Sequence, residues 1–335
     1  MIARMRFRWH RLPPVARRSR ALPTALVTWR DGVHITGTPI WCDARRRRDI
    51  CFISSAERVG RTGHGQLIAS PVTLALLGAK LGGHLAVPLR QRFTLGTLRL
   101  ELISSGRGLG AAALHVDIAG RTVLYAGAVR TTAGGFAEPA EVRSCDAVVV
   151  AAPFGEVHHE FPTVEDTTAQ VVEWCQAHLG AGQVPVLAVD SVLDAIEVAA
   201  RIVASGLTVA GTRSVRETIT RIGELSALPA VRGIGREPCV VVALDGEKAK
   251  LPPGQVARTA LVSGRALDLH RQRPGFDAAF AWPFVAGRTQ LLSWIEQSKA
   301  RDVFVTGEAA DAIVAAVGPR ARVLGPPRQM ALFGS

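Results

Sequence analysis

The chain has 335 residues, 48% of them hydrophobic and 20% charged, with a formal net charge of +12 at pH 7. That length and apolar content predict a globular protein with one large core, or one core plus an inserted unit. No apolar run approaches the roughly 18 to 20 residues of a membrane span, and the basic start is not followed by a signal-peptide core, so a cytoplasmic protein without membrane contact is expected.

Seven arginines and no acids lie within the first 20 residues, which leaves only +5 for the rest of the chain. Clustered cations bind phosphate by displacing condensed counterions, so the excess points toward nucleic acid, although an arginine-rich composition can also arise in the gene without selection for binding. The five cysteines, Cys42, Cys51, Cys145, Cys175 and Cys239, are widely spaced and form no C-x-x-C pair. Reduced, buried thiols are expected, rather than zinc or redox chemistry.

Residues 1–23 carry the arginine-rich run and Pro13-Pro14 without apolar periodicity, which predicts a basic arm. Phe7 and Trp9 alternate there with Arg4, Arg6, Arg8 and Arg11, a pattern suited to base stacking with phosphate contact; a disordered leader is the competing reading. From Ala25 to about Val150 short alternating or apolar runs predict strands at 25–29, 32–36, 50–54, 66–69, 98–103, 113–118, 122–126 and 147–151, with one helix over 71–81 opened by Pro71. The rhythm then changes. Helices are predicted over 164–179, 192–204, 215–225, 288–298 and 309–317, alternating with strands at 184–189, 207–210, 239–244, 260–263 and 302–306. Such alternation argues for α/β units.

The order of several short segments resembles the DNA ligase-associated exonucleases, which belong to the β-CASP group of metallo-β-lactamase-fold nucleases. The resemblance covers about Gly32 to Thr306. It lies in Gly32-Val33-His34-Ile35 with Trp41-Cys42-Asp43, in Gly63-His64-Gly65 through Thr73, in Ser105-Gly106-Arg107-Gly108-Leu109-Gly110-Ala111-Ala112, and in Leu261-Val262-Ser263-Gly264-Arg265. It implies an α/β fold, an αββα sandwich over 24–181 and 276–322, with a β-CASP-like α/β cap inserted over 182–275 and a tail over 323–335.

The same resemblance implies that the catalytic metals have been lost. Two divalent ions need imidazole and carboxylate donors converging at about 2.0 to 2.2 Å. Where the family reads H-x-H-x-D-H, this chain has Ser54, Ala56, Arg58 and Val59, or, one residue along, Ser55, Glu57, Val59 and Gly60. The next histidine is replaced by Arg107, the bridging aspartate by Ala128 and the acid of the following segment by Ala151. Pro283-Phe284-Val285-Ala286-Gly287 stands in place of S-D-H-A-D, Thr306-Gly307-Glu308 in place of T-H-G, and Val192-Leu193-Asp194-Ala195-Ile196 in place of L-G-K-A-Q. No catalytic residue, metal or cofactor is therefore expected.

Other motifs carry chemistry of their own. Arg58 and Arg107 are expected to face the emptied cavity, either gripping phosphate or forming ion pairs with Glu57 and other acids. Arg45, Arg46, Arg47 and Arg48 form a run that contacts successive phosphates or is simply solvated. His158, His159, Glu160 and Asp166 have metal-ligand types but no standard ligand spacing, so they represent the rebuilt metal-dependent nuclease or phosphoesterase as the alternative function. Ser54-Ser55 and Ser104-Ser105 lack a nucleophile elbow. Gly106-x-Gly-x-Gly110 precedes a strand, whereas a dinucleotide loop precedes a helix.

Near the C-terminus, Gln329-Met330-Ala331-Leu332-Phe333 resembles the Q-x-x-L-F peptide by which bacterial replication and repair proteins bind the sliding clamp. Leu332 and Phe333 suit an apolar pocket, Met330 adapts to its rim and the Gln329 amide orients the segment. Packing of Leu332 and Phe333 on the chain's own body is the competing reading. The expectation is an inactive nuclease homologue in DNA repair or replication at the nucleoid. It would bind DNA and the clamp, beside a ligase, helicase or active nuclease, with RNA processing as a further alternative.

Overall fold

The computed structural model describes residues 25–57, 63–79, 83–223, 228–268 and 275–326. The arm over 1–23, Arg58, Val59, Gly60 and the segment Gln329, Met330, Leu332 and Phe333 lie outside the described residues.

Period-two patterning makes the first half a series of short strands. β1 (Val27–Trp29), β2 (Val33–Ile35), β3 (Ile40–Cys42), β4 (Ile50–Phe52), β5 (Gln66–Ala69) and β6 (Leu85–Ala86) lie side by side in chain order, antiparallel up to β3 and parallel beyond it. α1 (Pro71–Leu76) follows β5, with Ser70 accepting from the Thr73 N–H and Pro71 in its first turn. This helix stops before the expected Leu81. Gly78 adopts φ +64°, the left-handed turn that closes helices and that glycine enters without a Cβ penalty.

Next come β7 (Arg92–Leu95), β8 (Leu98–Ser104), β9 (Ala112–Ile118), β10 (Arg121–Ala128) and β11 (Ala147–Ala151). Then follow α2 (Val164–Gly180), β12 (Val184–Val189), α3 (Val192–Ala204), β13 (Val209–Gly211), α4 (Arg213–Ile222), β14 (Val240–Leu244), β15 (Ala257–Val262) and β16 (Ala278–Phe280). The last elements among the described residues are α5 (Arg288–Gln297), β17 (Asp302–Thr306), α6 (Ala310–Val317) and β18 (Ala321–Val323). Among the described residues these strands form three sheets: the first of six, a second in the order β18-β17-β11-β10-β9-β8-β7, and a third, all parallel, in the order β13-β14-β12-β15-β16.

Alternation along the second sheet explains its two partners. Leu100, Leu102, Leu114, Val116 and Val149 meet Ile35, Ile40, Phe52 and Ile68 of the first sheet. Ile103, Leu124, Val148, Val150 and Val305 point the other way, onto Leu291, Trp294 and Ile295 of α5 and Ile313 of α6. On the far side of the first sheet, Leu74 of α1 packs with Cys51, Ile53 and Leu67. The layers therefore run helix, sheet, sheet, helix, and the whole is a mixed α/β protein. Each fully buried aliphatic or aromatic side chain contributes about 1.5 to 3 kcal/mol to holding these layers together.

The third sheet has a separate core, in which Val171 and Cys175 of α2 and Val198 and Ile202 of α3 cover Leu187, Val189, Val240 and Val242. Its limits differ from those expected. α2 packs on the third sheet rather than with the first unit, and β16 pairs with β15, so the chain stays with this sheet through Trp282 and Phe284 instead of leaving it near 276. At the other end, the Leu324 N–H donates to the Val305 carbonyl and its side chain is buried, so the expected boundary at 323 falls inside the fold.

Candidate functional site

Where β4 ends, the Ser54 N–H and Oγ donate to the Asp43 carboxylate at 2.9 and 2.5 Å, and the Tyr125 hydroxyl donates to it at 2.8 Å. Three donors satisfy that carboxylate. Asp43, Arg45, Glu57, Tyr125, Ala151, Thr306 and Gly307 line a cleft of about 490 Å³, whose rim includes Trp29, Leu324 and Pro326. Glu57 also lines a second cavity of about 290 Å³, together with Arg107, Ala128, Phe154, Asp194, Arg265, Phe284 and Val285.

An ion-paired strut stands beside Glu57. Arg107, in the turn between β8 and β9, places Nη2 2.5 Å from Glu57 and Nη1 2.8 Å from Asp194, with only 9% of its side chain exposed. Its guanidinium also lies 5.6 Å from the centre of the Phe284 ring. Ser191 caps α3 at the Asp194 N–H and donates to Glu57 at 2.7 Å. Burial pushes the Asp194 carboxyl up to about 7 and the Glu57 charge adds to this, while Arg107 pulls it back. For Arg107 burial alone would lower the pKa, but Asp194 and Glu57 raise it overall, so the guanidinium stays charged. One turn along α3, Glu197 receives Arg130 at 2.8 and 2.9 Å and the Trp282 indole N–H at 3.2 Å. Arg107, one of the residues expected to grip nucleic acid, thus points inward with its charge offset by the protein's own acids, the ion-pair alternative.

The remaining walls are apolar or bare. Ala128, Ala151 and Val285, far apart in sequence, meet in one small cluster with Phe154. Gly307 has φ +102°, and a Cβ there would lie 2.7 Å from the Ala152 carbonyl oxygen, so the backbone is built around glycine. The two metal ions implied by the resemblance do not fit this donor set: Asp43 is engaged by Ser54 and Tyr125, Glu57 is paired with Arg107 and Ser191, and the other matched positions supply neither imidazole nor carboxylate.

Among the described residues one group of three metal-ligand side chains brings donor atoms within 4.8 Å of one another: His158, His159 and Asp268. Glu160 and Asp166, expected beside the histidines, are used elsewhere. Glu160 accepts from the N–H and hydroxyl of Thr289 in the first turn of α5, and Asp166 accepts from Thr163 at the start of α2. Asp268 bridges the two imidazoles, at 2.7 Å from His158 Nε2 and 3.0 Å from His159 Nε2. His159 Nδ1 accepts from the N–H groups of Gly155 and Glu156 at 2.9 and 3.0 Å, so a neutral His159 carries its proton on Nε2 and donates it to Asp268. That nitrogen has no lone pair for a metal. The cluster fastens the loop after β11 to the end of the 3-10 turn Gly264–Leu267.

The crevice beyond the C-terminal ends of the third sheet, where open parallel sheets commonly place ligands, is crossed by internal ion pairs. Arg265 engages Asp190 and reaches Asp245 at 2.9 Å, and Ser263 donates to Asp190. The arginine run lies in the loop joining the neighbouring strands β3 and β4. Arg46 faces Asp31 at 3.3 Å, and Arg48 stacks 3.7 Å from the centre of the Trp41 ring; Arg45 and Arg47 are exposed. All five cysteines are buried free thiols, and burial pushes Cys51, Cys145 and Cys175 up to about 12.

Fold and site together define a mixed α/β protein whose central cavities are walled by alanines, glycine and internally matched charges. No protein-family model matches the chain, and no curated protein matches it.

Proposed function

We propose that the chain is a non-catalytic relative of the DNA ligase-associated exonucleases, with a metallo-β-lactamase-like sandwich and a β-CASP-like cap formed around the third sheet. One observation carries this reading. Of the positions matched to metal ligands through sequence resemblance alone, 54, 107, 128, 151, 285 and 307 line two adjoining cavities or lie against their walls, Ala56 packs instead against the apolar cluster of Leu76, Leu109 and Leu193, and none offers an imidazole or carboxylate that could hold catalytic metal. The helix, sheet, sheet, helix layering supports the same reading.

In place of hydrolysis the protein acts as a DNA-binding scaffold in repair or replication, with the arginine run Arg45 to Arg48 on DNA. Gln329, Met330, Leu332 and Phe333 tether it to the sliding clamp. A ligase, helicase or active nuclease at the nucleoid is the companion enzyme. A rebuilt hydrolytic centre at His158 and His159 has less support, because His159 Nε2 is committed to Asp268.

The test is clamp binding by the full chain and by Leu332→Ala/Phe333→Ala, with metal content and nuclease activity measured on the same sample. Tail-dependent binding with neither stoichiometric metal nor cleavage is expected. Bound zinc or manganese with cleavage would return the reading to a metal-dependent enzyme, and loss of clamp binding in neither sample would remove the tether.

A further inference from the structure

α4 carries a basic surface that the site above does not use. Val215, Thr218 and Ile222 are its buried positions, whereas Arg213, Arg216, Glu217, Thr220 and Arg221 border a surface hollow of about 450 Å³. Arg213 pairs with Glu217 at 2.6 Å, but both side chains are mostly exposed, at 84% and 54%, where such a pair holds little. Among the described residues Arg216 has no acidic partner. Its guanidinium lies 3.8 Å from where a Cβ on Gly233 would be, which sets it over the loop bearing Arg232 and Arg236.

Arg221 donates to the Leu76 carbonyl at the end of α1, anchoring this face to the layered body. Leu77 on the other side of α1 packs into the same apolar cluster as Trp41, the ring on which Arg48 stacks. α1 therefore stands between two basic surfaces. Among the described residues the α4 face includes five arginines, opposed by Glu217, by Glu237 on Arg232 and by Glu247, which is held by Thr212 and Ser214.

We propose that the exposed face of α4 is a contact for the DNA phosphodiester backbone, with Arg213 and Arg216 as its principal cations. Residues three apart on a helix are about 5 to 6 Å apart at Cβ, so the two guanidinium groups can address neighbouring phosphates. Such contact carries no base specificity and depends strongly on salt, each neutralised duplex phosphate adding about 0.9 to the slope of log affinity against log salt concentration. The inference rests on the DNA-binding reading and assigns to it a surface that the arginine run did not reveal.

The experiment measures affinity of the full chain for a labelled DNA duplex over a salt series, in wild type, Arg213→Ala/Arg216→Ala and a control, Arg301→Ala/Arg322→Ala, whose arginines are exposed elsewhere. Near-UV circular dichroism checks that all three are folded alike. A slope reduced by about two in the α4 variant, and unchanged in the control, is expected. Wild-type binding with the same slope in the α4 variant would overturn this surface and leave the DNA-binding reading intact. Absence of DNA binding by the wild type, or binding of an RNA duplex alone, would overturn both.

Discussion

Arg107 and Asp194 meet at 2.8 Å across the junction between the second sheet and α3, with 9% and 0% of their side chains exposed. At pH 8, where both groups are charged, removing one member of such a pair leaves a buried charge without its counterion, at a cost of about 3 to 5 kcal/mol, whereas replacing both by apolar groups is often near neutral. Arg107→Met is therefore expected to lower the urea midpoint sharply, and Arg107→Met/Asp194→Leu to recover part of the loss, with Glu57 still unpaired. A single variant as stable as wild type would show that the strut does not hold the junction.

The strut also sets a pH dependence. Burial lifts the Asp194 carboxyl to about 7, so between about pH 4 and 7 the folded chain holds a proton that the unfolded chain has released. Stability contributed by this group is highest at the acidic end of that window, falls as pH rises toward 7 and is flat above it. Relative to Asp194→Asn, the wild type is expected to lose unfolding free energy as pH rises from 5 to 8. Parallel pH profiles for the two proteins would contradict the shift.

Long apolar periods made much of the fold legible. The runs at Gln66–Ala69, Ala147–Ala151, Val184–Val189, Val192–Ala204 and Asp302–Thr306 have their expected limits. β6, β7, β16 and β18 were not expected, because strands of two to four residues that are half exposed, such as Arg92–Leu95, carry too little pattern to stand out from loops. The absence of ligands could be read residue by residue, but what replaced them could not. Glu197 and Arg130 are 67 residues apart, and only the tertiary fold brings them together. A signal was present in α3: Asp194 and Glu197, three apart on a helix whose one other charged residue is Arg201 in the last turn, mark buried acids that require cations. Asp268 gave no such local signal, since its partners lie about 110 residues earlier.

The hydrogen bonds around His159 specify its tautomer. Two backbone N–H groups on Nδ1 leave the proton on Nε2, facing Asp268. Long-range ¹⁵N–¹H correlation spectra at pH 8 are expected to show His159 in the Nε2–H form, unchanged when zinc is added. An Nδ1–H form, or a zinc-induced shift at this ring, would make the cluster a metal site. Asp268→Asn, which weakens the bridge between the two rings, should loosen the loop after β11 and speed amide exchange at Gly155 and Glu156.

Gly307 tests whether the missing ligands could be restored one at a time. Its φ of +102° lies where side chains are strained, and the Cβ of any other residue would lie 2.7 and 2.9 Å from the Ala152 carbonyl oxygen and carbon, backbone atoms that cannot move aside alone. Gly307→His would supply an imidazole where the resemblance places one, yet the Cβ clash precedes any benefit from the ring. Gly307→Ala and Gly307→His are therefore expected to lose similar stability, about 2 kcal/mol or more, and neither to bind zinc more tightly than wild type. A stable Gly307→His protein with increased zinc affinity would show that the β17 terminus still accommodates a ligand. If instead both variants are destabilised alike, the loss at this position lies in the backbone as well as the side chain, and single reversions will not rebuild the centre.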